Sequence, residues 1–254
     1  MGAKLDHASK GQLDDRLFEL RRVTANGLRD FTTVMAAIQE QLEGRPPQNM
    51  VPSWYLPPEI QVEKVKSMVD PGVILEIPPA PTYFKPRTRT EVLMLRFQFP
   101  AGRGRSLQDT FEICKSAIES DGRWMHASPG YADNLSFAAN AFTKLGYKWV
   151  AFDPAAHLDM STLDAQRALP EAQRVRLAGL EAIMALALFP ALADQLGDLV
   201  PNMHLGGLHL NQSHGSGFLP LVFGYKPEGS NLELGEFWPD HAGDNYSNPT
   251  IRVL

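Results

Sequence analysis

The segment from Ala178 to Phe189 constrains the fold more than any other part of the chain, because it is apolar on nearly every side. A surface helix of a globular protein carries one apolar stripe, whereas a helix that is apolar all round is buried on all sides. The segment is also far shorter than the roughly 18–20 residues that a membrane-spanning helix needs. We therefore predict that it forms the central helix of a protein core.

The other apolar patterns place helices early and in the middle of the chain and strands mostly late. Further helices are predicted over residues 60–69, 107–120 and 135–145, and from Ser161 onward. Strands are predicted over residues 73–77, 91–99, 147–152, 204–210, 219–225, 231–237 and 249–254. This order favours an α+β fold, in which a mixed or antiparallel sheet packs against the buried helix.

The N-terminal part of the chain is predicted to be an amphipathic helix or a helical hairpin. Apolar residues recur every three or four positions over residues 12–42, and Asn26-Gly27 in the middle is a strong turn pair. Gly44 and Pro46-Pro47 then end the helical pattern. We accordingly divide the chain into an N-terminal helical segment, residues 1–45, and a single α+β domain, residues 46–254. The helical segment is a candidate for forming a homo-oligomer or docking a protein partner, in which case its deletion would change the oligomeric state.

Composition narrows the class of protein. The formal net charge of −5 and the pI near 5.8 argue against nucleic-acid binding, which usually requires a basic surface. A single cysteine, Cys114, excludes an internal disulfide and favours a reducing compartment. The sequence shows neither a secretory leader pattern nor a transmembrane run. We expect a soluble, cytoplasmic protein that does not associate with a membrane, with Cys114 buried on the apolar stripe of its helix.

Three of the seven histidines, His204, His209 and His214, lie close together beside a glycine pair. Imidazole is a common metal ligand, and a bulge at the glycine pair would bring His204 and His209 to one side of a strand. Asp240, in a turn-rich C-terminal stretch, would complete a divalent metal site. The spacing matches no established zinc pattern, so separate surface or core histidines are the alternative.

Two further groups are candidates for ligand binding. Asp153 and His157 follow the predicted strand 147–152, and polar residues at the end of a strand are common site positions. An ordinary strand-to-helix loop is the alternative interpretation. Arg87 and Arg89 are two residues apart in a basic stretch that also contains Arg96, so in an extended chain they would share a face and hold an anion. A solvated positive face is the alternative for this stretch.

The sequence contains no nucleophile-elbow, P-loop or dinucleotide-binding motif. Residues 147–250 are loosely similar, in the order of their apolar runs and turns, to a group of uncharacterised bacterial proteins, a resemblance that implies no activity. Two hypotheses follow. The chain is either a non-enzymatic binding or interaction module of bacterial type, which we favour, or a metal-dependent hydrolase that uses the His204, His209 and Asp240 cluster.

Overall fold

The computed structural model describes residues 52–69, 76–98, 106–128, 130–169, 175–197, 200–212, 215–225, 231–240, 242 and 245–254. These residues all belong to one compact unit, Val51–Leu254. The predicted N-terminal helical segment, residues 1–45, lies outside the described residues, so its structure and the boundary at residues 45 and 46 stay predictions. Most of the strand predicted over residues 73–77 also lies outside them, and its last two residues have no regular structure.

Helices and sheets together confirm the α+β fold. The helices of the described residues are α1 (Pro58–Met68), α2 (Ser106–Ser120), α3 (Thr162–Ala168), α4 (Leu180–Leu188) and α5 (Pro190–Gln195). All nine residues of α4 are buried, which confirms the predicted central helix. The predicted stripe of α2 is also buried, Cys114 included. Helix α3 begins after Ser161, whose hydroxyl oxygen accepts a hydrogen bond from the Asp164 amide at 3.1 Å, as expected of an N-cap serine.

The strands form two sheets. In chain order they are β1 (Val92–Gln98), β2 (Trp124–His126), β3 (Leu135–Phe137), β4 (Gly146–Asp153), β5 (Val175–Leu177), β6 (Asn202–His204), β7 (Leu208–Gln212), β8 (Gly215–Tyr225), β9 (Asn231–Phe237), β10 (Tyr246–Ser247) and β11 (Thr250–Val253). The first sheet is antiparallel in the order β1-β4-β11-β5. In the second sheet β8 pairs with β6, β7 and β9, and the short strands β10, β3 and β2 extend it.

Both faces of the first sheet are covered. Arg96 on β1 donates from Nε to Oε1 of Glu181 on α4, so this face of the sheet is turned toward the buried helix. On the opposite face, Trp149 donates from its indole nitrogen to the Pro78 carbonyl at 2.9 Å, so the segment that contains Pro78 covers that side. As a result all seven residues of β1 are buried. The interpretation of Arg96 as part of a solvated basic stretch is therefore wrong.

The edge of β1 is protected by a side chain from α1. The buried Gln61 amide donates to the Leu93 carbonyl at 2.9 Å and accepts from the Leu95 amide at 2.8 Å, as a neighbouring strand would. A free strand edge is a template for aggregation, and Gln61 closes it here. Ahead of α1, Trp54 is buried with its ring centroid 5.5 Å from that of Phe189. The segment ahead of α1 is therefore packed onto the body of the unit through Trp54.

The helix predicted over residues 135–145 is wrong. Residues Leu135–Phe137 form β3, which pairs with β7, and the chain then runs without regular structure to β4. The carbonyl oxygens of Phe142 and Lys144 accept hydrogen bonds at 2.6 Å from the Arg96 guanidinium. Tertiary contacts therefore take up the backbone groups that a helix would have satisfied within itself.

Candidate functional site

Two segments that are far apart in the sequence meet beside the end of β4, and we call them the clasp: residues 153–163 and residues 245–250. The Asp159 amide donates to the Tyr246 carbonyl at 2.8 Å, and the Asn248 amide donates to the Ala156 carbonyl at 3.0 Å. The Ser247 hydroxyl donates to the Pro154 carbonyl at 2.6 Å. These bonds hold the loop after β4 in a single arrangement. The clasp contains the predicted candidates Asp153 and His157.

The clasp concentrates backbone strain. The non-glycine residues with positive φ among the described residues are His157 at 50°, Asp159 at 56° and Asn245 at 64°, and all three lie in the clasp. A left-handed conformation is unfavourable for a residue with a side chain and persists only where the surroundings enforce it. The Asn245 amide donates to Oδ1 of Asp159 at 2.9 Å, so two of the three strained residues support each other.

Asp153 holds this part of the structure together. Its Oδ2 accepts from the Thr88 hydroxyl at 2.7 Å, and its Oδ1 accepts from the Thr90 hydroxyl at 2.6 Å and from the Ala155 amide at 3.1 Å. Burial lowers the pKa of the nearby His157, and the negative charge of Asp153 opposes that shift. The carboxylate is thus engaged with three donors, and it acts on His157 through its charge.

His204 is buried at the back of the clasp. Its Nδ1 lies 3.4 Å from the Thr162 hydroxyl oxygen, and its ring stacks on Tyr246 with 5.2 Å between centroids. The Thr162 hydroxyl proton is donated to Oδ1 of Asn248 at 2.6 Å, because the Asn248 amide nitrogen itself donates to the Met160 carbonyl. Thr162 therefore accepts from His204, which places the histidine proton on Nδ1.

The structure does not bring the three predicted metal ligands together. His204 is buried, whereas His209 on β7 and Asp240 after β9 are exposed. Within the described residues no group of three His, Cys, Asp or Glu side chains is arranged to hold a metal ion. His214 lies outside the described residues. The divalent metal site at His204, His209 and Asp240 therefore gains no support here and stays a prediction.

The glycine pair between His204 and His209 has a packing role. The Gly207 amide donates to the Ala178 carbonyl at 3.0 Å. A Cβ added to Gly207 would lie 2.8 Å from the Leu177 carbonyl oxygen, closer than real Cβ atoms approach. The pair therefore lets the link between β6 and β7 pass directly over the residues that precede α4.

Arg87 and Arg89 are exposed on the loop that leads into β1. The Arg87 backbone amide donates to Glu91, whose carboxylate also accepts from Arg252 at 3.0 and 2.9 Å. The loop is thus fixed to β11 through Glu91 and Arg252. Nothing in this geometry tests whether the two exposed arginine side chains hold an anion, so that role stays a prediction.

Sequence analysis missed three exposed apolar residues in the clasp and in the turn after β9, because leucine and tryptophan are usually assigned to the core. We call them the apolar face: Leu158, Leu163 and Trp238, which are 48%, 38% and 59% exposed. The Leu163 amide donates to the Pro239 carbonyl at 3.1 Å, so Leu163 lies next to the turn that carries Trp238. Leu158 lies between the two left-handed residues His157 and Asp159. The strained part of the clasp therefore carries an exposed apolar side chain.

No family model, curated protein or solved structure matches the chain. Within the described residues, no helix has both the length and the apolar character needed to span a bilayer.

Proposed function

We propose that the protein is a non-enzymatic interaction module that self-associates through the apolar face. The observation that carries the proposal is the position of Leu158. It lies between two left-handed residues, in a loop held by hydrogen bonds to residues 246–248, with its side chain about half exposed. Strain of this kind tends to occur where function requires it, and an exposed apolar side chain on a rigid loop is suited to anchoring a partner.

The surroundings of the apolar face favour a second copy of this chain as the partner. Asp164, Arg167 and Asp240 are all exposed near Leu163 and Trp238. A surface with both signs of charge around an apolar centre can complement itself across a two-fold axis, because Arg167 of one copy can meet an aspartate of the other. Aromatic anchors inside a polar rim are the usual composition of protein interfaces.

The N-terminal helical segment is a second candidate for association. Residues 1–45 lie outside the described residues, so their role in forming a homo-oligomer or docking a protein partner stays a prediction. The proposal for the apolar face does not depend on it, since all of the residues involved belong to the unit Val51–Leu254.

Light scattering coupled to size-exclusion chromatography tests the proposal on the full chain. The chain supplies a matched pair of variants, Trp238→Ala and Trp124→Ala, because the two indoles are 59% and 58% exposed. Trp124 on β2 pairs with Asn231 at the start of β9, and Trp238 follows the end of β9, so roughly 23 Å of strand separates them.

We expect the wild-type chain to dimerise as its concentration is raised, and Trp124→Ala to behave in the same way. Trp238→Ala should weaken dimerisation about tenfold or more, because a buried interface tryptophan typically contributes at least ~2 kcal/mol. A wild-type chain that remains monomeric at every concentration, or equal behaviour of the two variants, would contradict the proposal.

A further inference from the structure

A cavity of about 580 Å³ lies next to the apolar face, between α3 and β5. Its polar lining comes from Arg167, Arg176, Asn140 and Gln166, and Leu163 and Val175 contribute apolar surface. Its volume falls within the range of small-molecule sites, which run from roughly 300 to 1,000 Å³. The cavity lies beside the proposed association surface, and Leu163 and Arg167 border both.

Among the described residues that line the cavity, two carry a guanidinium group and none carries a carboxylate, so their charge is positive. Within the described part of the chain, Arg176 forms no ion pair, and it is exposed. Arg167 is bonded to Asp164 at 3.0 Å, but the two side chains are 75% and 57% exposed. Exposed ion pairs of this kind are weak and exchange easily for another anionic partner.

The apolar residues determine what kind of anion fits. Two guanidinium groups with the side-chain amides of Asn140 and Gln166 supply donors for a carboxylate or phosphate oxygen. Leu163 and Val175 offer apolar surface that a purely inorganic anion would leave unused. A polyanion such as nucleic acid needs a longer basic footprint than two arginines on a chain of net charge −5.

We propose that this cavity binds a small organic carboxylate with an apolar body, the carboxylate lying against Arg167 and Arg176 and the apolar body against Leu163 and Val175. The site goes beyond the self-association proposed above, and binding here requires no dimer.

The test is a titration of the full chain with hexanoate, followed by nuclear magnetic resonance of the arginine side-chain Nε–H signals. We expect saturable shifts of the Arg167 and Arg176 signals. Arg176→Gln and Arg167→Gln should each weaken hexanoate binding about tenfold, because each removes charge-assisted hydrogen bonds. Inorganic phosphate and 1-hexanol should each bind more weakly than hexanoate, since phosphate lacks the apolar body and 1-hexanol lacks the negative charge.

The control variant is Arg89→Gln, which removes an exposed arginine from the other candidate anion site and leaves the cavity intact. We expect it to bind hexanoate as tightly as the wild type does. If Arg89→Gln lost hexanoate binding while Arg176→Gln kept it, the anion would bind at the loop before β1 and not in the cavity. That result would overturn the assignment. Absence of saturable shifts would overturn it as well, as would equal binding of hexanoate and 1-hexanol.

Discussion

Glu181→Gln is predicted to destabilise the protein strongly, because it leaves the Arg96 charge buried without a carboxylate. The Arg96 and Glu181 side chains are 0% and 4% exposed, with 2.7 Å between Nε and Oε1. Two backbone carbonyls and the Gln98 side chain accept the remaining guanidinium bonds, so Arg96 cannot turn toward water without breaking them. Removing one partner of a buried ion pair costs about 3–5 kcal/mol.

Urea unfolding followed by circular dichroism measures this effect. The free energy of unfolding should fall by about 3–5 kcal/mol while the m-value stays unchanged, since the same surface is exposed on unfolding. The melting temperature should fall by roughly 6–20 °C, at roughly 2–4 °C per kcal/mol for a unit of this size. The control is Glu63→Gln, whose ion pair with Lys66 is exposed and should contribute less than about 1 kcal/mol.

The double variant Arg96→Met with Glu181→Leu separates the cost of an unpaired charge from the worth of the pair. Replacing a buried pair by apolar side chains is often neutral, so the double variant should be clearly more stable than Glu181→Gln. A loss below about 1 kcal/mol in Glu181→Gln would refute the reasoning, because the Arg96 charge would then be solvated by water. A double variant that is less stable than Glu181→Gln would also contradict it.

Three further predictions concern single positions. Gly207→Ala should lower the melting temperature, because its new methyl group would meet the Leu177 carbonyl oxygen at 2.8 Å; an unchanged melting temperature would contradict the packing role. Burial raises the pKa of the Cys114 thiol, so a thiol reagent at pH 8 should label no cysteine until the protein is unfolded, and rapid labelling of the folded protein would show that the helix face is open. Burial lowers the pKa of His157 from 6.5, so the unfolded chain binds this proton more tightly and stability should decline as pH falls below about 6.5. His157→Asn keeps a residue that tolerates positive φ and should slightly reduce the loss of stability at low pH. If the pH profile of the unfolding free energy were unchanged in this variant, His157 would not contribute to that loss.

Elements with one clear apolar period are predictable from the sequence. Helix α4 is apolar all round and α2 has a single stripe, so burial follows directly from the pattern in both. The helix prediction for residues 135–145 is wrong because the conformation of this segment depends on Arg96. That residue is far away in the sequence and donates hydrogen bonds to carbonyl groups of the segment. A local period cannot contain that information.

The candidate site is predictable only in part. The turn after β4, with Asp153 and His157, follows from its Asp-Pro pair at the end of a strand. Its junction with residues 245–250 depends on β11 pairing with β4, a long-range register that no local pattern specifies. The exposure of Leu158 and Trp238 cannot be predicted from the sequence either, because sequence patterns assign large apolar residues to the core.

Hydrogen exchange of the full chain at low and high protein concentration tests the central claim most directly, since it locates the association surface without a substitution. Self-association through the apolar face predicts that peptides covering residues 157–164 and 236–240 gain protection as the concentration rises, while a peptide covering residues 123–127 exchanges at an unchanged rate. Concentration-dependent protection confined to other parts of the chain, or no change in any peptide, would contradict the account.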